Sequence, residues 1–181
     1  MPAGPEYVRP ETLQNGPVVL SPPDPDWPRQ YAGVATRIQD ALGRDVVVEH
    51  VGSTSVPGLS AKPVLDVLLL VPDPADEPAY VPHLEAAGFL LHLREPNWFE
   101  HRLLKGTDPA VNLHVLAPSS EEARRMVLFR DHLCADRADR ELYEATKRRL
   151  ATQDWQRVQD YADAKSEVVA AILTRARSST S

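Results

Sequence analysis

The chain has 181 residues, of which 43% are hydrophobic and 25% charged, and its net charge is −6, so its composition is that of an ordinary globular domain. The acidic balance argues against nonspecific nucleic-acid binding, which needs a basic face. The single cysteine, Cys134, excludes a disulfide within the chain, and no apolar run is long enough for a membrane span or a signal peptide. We therefore expect a cytoplasmic location, with neither a membrane nor a nucleic acid as partner.

The N-terminal part of the chain predicts a flexible arm followed by a helix. Residues 1–16 are rich in proline, glycine and polar side chains, a composition that is typical of an arm without regular structure. From residue 27 to residue 42, apolar side chains recur at helical spacing. Asp26 can cap the start of this helix, and Gly43 can end it.

The remaining elements follow from apolar patterning along the chain. Strands are predicted at Val46–Val51, Val64–Val71, Phe89–Leu93, Trp98–Lys105 and Val111–Leu116, a short helix is predicted to reach Gly88, and helices are predicted at Ser120–Cys134, Ala138–Leu150 and Asp154–Thr174. Residues 17–175 are thus expected to form a single α/β (α+β) domain, in which a mixed β-sheet is flanked by helices and the C-terminal third is helical. The tail at 176–181 is expected to be frayed.

The strongest functional signal lies in the loop between the first two strands. Residues 49–66 read EHVGSTSVPGLSAKPVLD, with two glycines that permit tight turns and three consecutive hydroxyl side chains. Successive backbone N–H groups in such a turn can form a nest for an anion. An ordinary Ser/Gly turn is the alternative, since these residues dominate loops in general. The residues expected to contact a phosphate here are His50, Gly52, Ser53, Thr54, Ser55 and Lys62.

Asp66 strengthens the functional interpretation of this loop. It stands in a run that is otherwise apolar, where a carboxylate is costly unless it is paired or bound to a metal. The structural alternative is an aspartate at the end of a strand that accepts hydrogen bonds from backbone N–H groups.

The string from His50 to Asp66 closely resembles the signature of the GrpB family. Later segments fit the same family in the same order, so that the resemblance runs from about residue 18 to residue 173; these segments are Asn112–Val115, Phe129–Asp131 and Tyr161–Lys165. The resemblance implies a fold similar to that of nucleotidyltransferases of the polymerase-β type. In that superfamily a Gly-Ser pair grips a nucleotide triphosphate, and acidic residues on the next strand bind Mg²⁺. Gly52-Ser53 matches the pair, and Asp66 matches the first acid.

The chain departs from the superfamily pattern at the acidic residues. The next residue on the same strand face as Asp66 is Leu68, which cannot bind a metal. The later strand has Asn112 and His114 where the superfamily pattern has an acid. Two-metal catalysis needs several carboxylates. Glu49 is the candidate for a second metal ligand beside Asp66.

Two charged residues fall within apolar helical stripes near the end of the chain. Arg130 must meet an anion, either an acid of the core such as Asp66 or a bound ligand. Lys165 can snorkel to the surface or bind a ligand. We expect Lys62, Arg130 and Lys165 to line one anion pocket, and the resemblance supports the last two.

Histidines give a weaker signal. His114 shares a strand face with Asn112 and is the predicted catalytic partner of Asp66, as a residue that orients an acceptor or accepts its proton. His101 carries less weight, and His83, His92 and His132 are expected at the surface.

The sequence therefore supports more than one function. The first hypothesis is an Mg²⁺-dependent enzyme that transfers a nucleotidyl or phosphoryl group. The second is a noncatalytic module that binds a nucleotide or a CoA-type molecule, which Leu68 favours and which fits the occurrence of GrpB-like domains fused to dephospho-CoA kinases. The third is a different group transfer with Asp66 or His114 as general base.

Overall fold

The computed structural model describes residues 4–11 and 13–179. The strands are β1 (Glu6–Tyr7), β2 (Leu13–Gly16), β3 (Val47–Val51), β4 (Leu65–Leu70), β5 (Leu90–Glu95), β6 (His101–Thr107), β7 (Ala110–Leu116) and β8 (Trp155–Arg157). The helices are α1 (Trp27–Leu42), α2 (Val81–Ala86), α3 (Glu121–Ala135), α4 (Arg137–Ala151), α5 (Val158–Ala164) and α6 (Ser166–Ser179). Short 3-10 turns lie at Ser53–Ser55 and Glu77–Ala79.

Six strands form one mixed sheet in the order β1-β5-β6-β7-β4-β3, and β2 pairs with β8 in a separate two-stranded sheet. The pairing of β4 with β7 is parallel, whereas the neighbouring pairs of the large sheet are antiparallel. In the parallel register Asp66 lies opposite Asn112, and Leu68 lies opposite His114. The polar residues that the sequence singled out are therefore neighbours on adjacent strands.

Helices cover both faces of the large sheet. On one face, Val67 and Leu69 of β4 pack with residues of α1 and α2. On the other face, Leu68 packs in a small apolar cluster with Ala123 of α3. The strand β4 is thus buried on both faces, as its apolar run predicted, and the mixed α/β fold with a helical C-terminal part is confirmed.

The loop after β3 is held by the helical part of the chain. Its residues Val56 and Leu59 pack with Leu133 of α3, Tyr143 of α4 and Ile172 of α6 in one apolar cluster. Burial of these side chains fixes the backbone of the loop, because apolar area removed from water stabilises by about 25 cal/mol per Å². The predicted phosphate-binding segment is therefore a packed part of the core.

Three predicted regions differ from the structure, namely the N-terminal arm, the last predicted helix and the C-terminal tail. The arm at residues 1–16 was expected to lack regular elements, but β1 pairs with β5 and β2 pairs with β8. The single helix predicted at Asp154–Thr174 is instead β8, α5 and α6, with Lys165 at the end of α5. Residues 176–179 of the tail, which was expected to be frayed, belong to α6. Residues 1–3 and 12 of the predicted arm, and residues 180–181 of the tail, lie outside the described residues. None of the described helices is long and apolar enough to cross a membrane.

Candidate functional site

A cavity of about 290 Å³ lies where the loop after β3, the strands β4 to β7 and the helices α4 and α5 meet. Its wall includes Lys62, Lys105, Lys147 and Lys165, and we call it the lysine cavity. These are all four lysines of the sequence, which also has sixteen arginines. Among the described residues, no arginine lines the cavity. The cationic side chains at this place are thus a distinct set within an acidic protein.

Lys147 is the most deeply buried of the four lysines, with 2% of its surface exposed. Its Nζ donates to Ser53 Oγ at 3.1 Å and to the carbonyl of Ser60. Burial, with a smaller contribution from the charge of Lys165, lowers the pKa of Lys147 to about 7. An anion in the cavity would favour the charged form of this amine.

The pKa values of Lys165 and Lys62 are lowered by burial, as that of Lys147 is. The Nζ of Lys165 lies 4.5 Å from the ring centroid of Tyr161, and among the described residues this ammonium makes no ion pair. Burial lowers the pKa of Lys165, and Asp66 opposes that effect. Burial and the charge of Lys165 likewise lower the pKa of Lys62. Mutual repulsion between cations is relieved when a negative ligand binds between them.

Asp66 faces the same cavity from β4. Its Oδ1 accepts a hydrogen bond from Asn112 Nδ2 at 3.2 Å and lies 3.3 Å from His114 Nε2. Burial works against the carboxylate form, but the hydrogen bonds and charge of His114, together with Asn112 and Lys165, outweigh it and hold the pKa of Asp66 below its usual value. The predicted pair of Asp66 and His114 is therefore in direct contact at the cavity wall.

Gly52 allows the loop to approach Asp66 closely. Its φ is +72°, and a Cβ atom at this position would lie 2.6 Å from Asp66 Oδ2. Only glycine adopts this conformation without strain and leaves room for the carboxylate. The chain then turns through Ser53–Ser55, so that Ser53 and Thr54 line the cavity.

Three predicted ligand residues support the turn and do not line the cavity. His50 Nε2 lies 2.9 Å from Thr54 Oγ1, and its ring stacks on Tyr31. Burial lowers the pKa of His50 to about 4, so this ring is neutral near pH 7. Ser55 Oγ donates to the carbonyl of Gly52 at 2.5 Å. The structure thus gives His50, Gly52 and Ser55 a positioning role for the turn.

Arg130 and Glu49 do not join the site, and the prediction that they do is corrected. Arg130 Nη1 donates to Glu49 Oε2 at 2.7 Å and to the carbonyl of His50 at 3.0 Å, while its Nε donates to Asp131 Oδ1 at 2.8 Å. The alternative of an ion pair within the protein is correct, although the partner is Glu49 and not Asp66. The physical reason is that α3 packs beside β3 and delivers the guanidinium to this edge of the sheet.

The cavity does not fit a pair of Mg²⁺ ions. Asp66 has no second carboxylate on its strand, because Leu68 is fully buried among apolar side chains and Glu49 is held by Arg130. Hard divalent cations need several oxygen ligands. Within the described residues, the three-ligand group suited to a metal is His132, Asp136 and Asp139, and Asp139 there is already bound by Arg175 at 2.5 Å.

Lys105, Lys147 and Tyr161 line the cavity but were not among the predicted site residues. Lys147 lies on the buried stripe of α4 between Tyr143 and Leu150, the same kind of anomaly that singled out Lys165. Tyr161 is 3% exposed and lines the cavity, and its hydroxyl has no hydrogen-bond partner among the described residues. A buried polar group without a partner is rare in folded proteins, so this hydroxyl is a candidate donor to a ligand.

His101 lies closer to the site than the sequence predicted. This side chain is buried on β6, and its Nε2 lies 3.1 Å from His114 Nδ1. Its Nδ1 lies 2.7 Å from Glu95 Oε2.

His92, expected at the surface, is 6% exposed and lines the lysine cavity. A second cavity of about 600 Å³ adjoins the first, with His114 in both walls.

Comparison with known proteins shows relatives along most of the chain. Residues 17–175 match the family described as GrpB protein. A UPF0157 protein of Halalkalibacterium halodurans is 52% identical over 163 residues, which cover 90% of this chain and 84% of that protein. A dephospho-CoA kinase of Mycolicibacterium paratuberculosis is 31% identical over 163 residues, which cover 75% of this chain and 40% of that protein.

Comparison with solved structures identifies the fold of this chain. The crystal structure of the conserved protein GrpB from Enterococcus faecalis superposes with a TM-score of 0.70 at 25% identity and covers 87% of this chain and 96% of that one. The Cid1 poly(U) polymerase with Mg 3′-dATP bound has a TM-score of 0.50 at 14% identity, over 68% of this chain and 41% of that one, a likeness of fold alone. The chain belongs to the GrpB family and has a nucleotidyltransferase-like fold.

Proposed function

We propose that the lysine cavity binds the phosphate groups of a small molecule, either a nucleotide or a CoA-type compound, without needing a metal ion. The observation that carries this proposal is the gathering of all four lysines of the chain around one cavity. Cations held close together repel one another, so a ligand that carries negative charge is favoured between them.

The neutral donors of the cavity match the same ligand. Ser53 and Thr54 follow the glycine turn, and Tyr161 presents a hydroxyl that lacks a partner within the described residues. Burial raises the pKa of Tyr161 to about 12, so this hydroxyl remains a donor at neutral pH. Phosphate oxygens accept several hydrogen bonds at once, and charged acceptors form the stronger ones.

A nucleotide is the ligand that the surrounding volume favours. The phosphate end would occupy the lysine cavity of about 290 Å³, and the adjoining cavity of about 600 Å³ would take the remainder. Small-molecule sites range from about 300 to 1,000 Å³. The likeness to a dephospho-CoA kinase supports a CoA-type compound as an alternative ligand.

Nucleotidyl or phosphoryl transfer is the second candidate function. The close approach of Gly52 to Asp66, and the distance of 3.3 Å between Asp66 Oδ1 and His114 Nε2, favour it. The donor set does not fit two Mg²⁺ ions, so a transfer reaction here would depend on the lysines for charge neutralisation and on His114 for proton transfer. The acceptor would carry a hydroxyl group.

A thermal-shift screen separates the two candidates. Pyrophosphate, nucleoside triphosphates and CoA precursors are tested with EDTA or with Mg²⁺, on the wild type and on Asp66→Asn. A ligand at about 100 times its dissociation constant should raise the melting temperature by about 5 to 11 °C. We expect a shift in EDTA that Asp66→Asn retains. A shift that requires both Mg²⁺ and Asp66 would favour metal-dependent transfer, and the absence of any shift would reject the phosphate site.

The hydroxyl of Tyr161 should have opposite effects on stability and on binding. In Tyr161→Phe the free energy of unfolding should rise by about 1 kcal/mol, because a buried hydroxyl without a partner is removed. The same change should weaken pyrophosphate binding about five- to tenfold, because the ligand loses one donor. Chemical denaturation and calorimetric titration measure the two effects.

Tyr80→Phe is the matched control for this change. Tyr80 is also buried, but its hydroxyl donates to the carbonyl of Pro74 at 2.7 Å and lies outside the cavity wall. The Tyr80→Phe variant should have a free energy of unfolding about 1 kcal/mol lower than the wild type and the same affinity for pyrophosphate. The role assigned to Tyr161 fails if Tyr161→Phe behaves in the same way as this control.

A further inference from the structure

Four ionisable side chains form a row across four adjacent strands of the large sheet. In sheet order they are Glu95 on β5, His101 on β6, His114 on β7 and Asp66 on β4. The contacts along the row measure 2.7 Å from Glu95 to His101, 3.1 Å between the two histidines and 3.3 Å from His114 to Asp66. The row ends at the lysine cavity, where Asp66 and His114 form part of the wall.

The distances decide where the protons of the two histidines lie. A carboxylate only accepts hydrogen bonds, and a neutral imidazole has one N–H and one acceptor nitrogen. The contact of 2.7 Å between Glu95 and His101 has the length of a charge-assisted hydrogen bond, so the proton of His101 is on Nδ1. The Nε2 of His101 is then an acceptor.

The contact with His101 also determines which ring nitrogen of neutral His114 carries the proton. Because His101 Nε2 accepts, His114 must donate from Nδ1 across the contact of 3.1 Å. In its neutral form His114 therefore has a bare Nε2, which points to Asp66 and the cavity across the longest of the three contacts, 3.3 Å. This nitrogen is the position at which the row can take up a further proton.

The charges around the row agree with this order. Burial, with the charges of His114 and Arg102, outweighs the effect of Glu95 and lowers the pKa of His101, so His101 is the neutral member. Arg102 is itself paired with Glu77 at 2.7 Å. At the other end Asp66 carries a negative charge, because its contacts with His114 and Asn112 and the charge of Lys165 outweigh burial and lower its pKa.

We propose that His114 is the proton acceptor for a hydroxyl group of the ligand in the lysine cavity, and that Glu95 and His101 are positioning residues that hold it ready. The ligand hydroxyl gives its proton to Nε2 of His114, the oxygen keeps the electron pair, and the resulting imidazolium donates to Asp66. The proposal rests on the proposed function for the nature of the ligand. The arrangement of protons along the row does not depend on it.

Nitrogen-15 NMR of the histidine rings in the ligand-free chain tests the arrangement. Above neutral pH, His101 and His114 should both carry their proton on Nδ1, whereas exposed histidines favour Nε2. In His101→Phe, His114 loses its acceptor and should change to the Nε2–H form, which can donate to Asp66. His92→Phe removes another buried histidine of the sheet from outside the row and should leave His114 unchanged. A neutral His114 with its proton on Nε2 in the wild type would overturn the proposal.

Glu95→Gln provides a second variant in case His101→Phe does not fold. A glutamine amide can donate to His101 Nδ1, so the preference of both rings for Nδ1–H should weaken. Diethyl pyrocarbonate, which acylates unprotonated ring nitrogens, gives an independent readout: it should modify His114 in the wild type, and failure to do so contradicts the bare Nε2.

Protection of His114 by pyrophosphate against diethyl pyrocarbonate separates the test of the histidine row from the test of the phosphate site. If His114 is modified and pyrophosphate protects it, both stand. If the Nδ1–H forms are observed and pyrophosphate gives neither protection nor a thermal shift, the row stands and the phosphate site fails. If pyrophosphate binds while His114 carries Nε2–H, the phosphate site stands and the inference fails.

Discussion

Lys165→Met should weaken the binding of pyrophosphate about tenfold to a hundredfold while the fold is kept. Lys165 lies in the cavity wall and has no ion pair among the described residues, so its charge is available to the ligand. A hydrogen bond to a charged group contributes about 1.5–3 kcal/mol, and each 1.4 kcal/mol is a factor of ten in affinity. Methionine has a similar length and tolerates the buried position, so stability should be equal or higher. Calorimetric titration at fixed ionic strength measures the affinity.

Arg137→Met serves as the charge-matched control. Arg137 is exposed and paired with Glu141 at 2.6 Å, so the change removes one positive charge without touching the cavity. It should alter the affinity for pyrophosphate less than twofold, because salt screens charges beyond about 10 Å. Equal losses in both variants would show that only net charge matters and would contradict a defined site.

Gly52→Ala should lower the free energy of unfolding by about 2–4 kcal/mol and also weaken pyrophosphate binding. A Cβ at this position meets Asp66 Oδ2 at 2.6 Å and Asp66 Cβ at 2.9 Å, and the backbone φ of +72° adds strain. Relief requires the turn at Ser53–Ser55 or the strand β4 to move, and both belong to the cavity wall. Urea denaturation measures the loss.

Gly58→Ala separates the clash from the backbone strain. Gly58 has nearly the same φ, +77°, but nothing lies within 4 Å of an added Cβ. This variant should lose about 1–2 kcal/mol, the usual penalty of a left-handed residue with a side chain. If the two alanine variants were equally stable, the close approach of Gly52 to Asp66 would have no energetic consequence.

The sequence predicted the parts of the site that lie close together along the chain. The turn at Gly52–Ser55, the buried strand with Asp66, and Lys62 all belong to one short segment, and local patterning suffices to place them. His114 was also found, because strand alternation puts it on the same face as Asn112. Of these residues, Ser53, Thr54, Lys62, Asp66 and His114 line the cavity.

The parts that depend on packing between distant elements could not be predicted. Arg130 lies within an apolar stripe in the sequence, but whether it meets Glu49 or Asp66 depends on where α3 crosses the sheet. The contact between His101 and His114 likewise requires the register of β6 and β7, which apolar alternation alone does not fix.

Lys147 is a different case, because the sequence did carry a signal for it. The helical spacing from Tyr143 to Leu150 puts this lysine on the buried stripe, and a chain with sixteen arginines and four lysines makes each lysine informative. The ammonium is a compact charge on a flexible stem, whereas the guanidinium of arginine is a planar, rigid fork of donors. The rarity of lysine was therefore a usable indicator of the cavity.

The measurement that tests the central claim most directly is a crystal structure of the wild-type protein grown with pyrophosphate and EDTA. We expect density for pyrophosphate in the lysine cavity, with its oxygens within hydrogen-bond distance of Lys165, Tyr161 and Ser53, and no metal beside Asp66. Density at another place, or a cavity that stays empty at millimolar pyrophosphate, would contradict it.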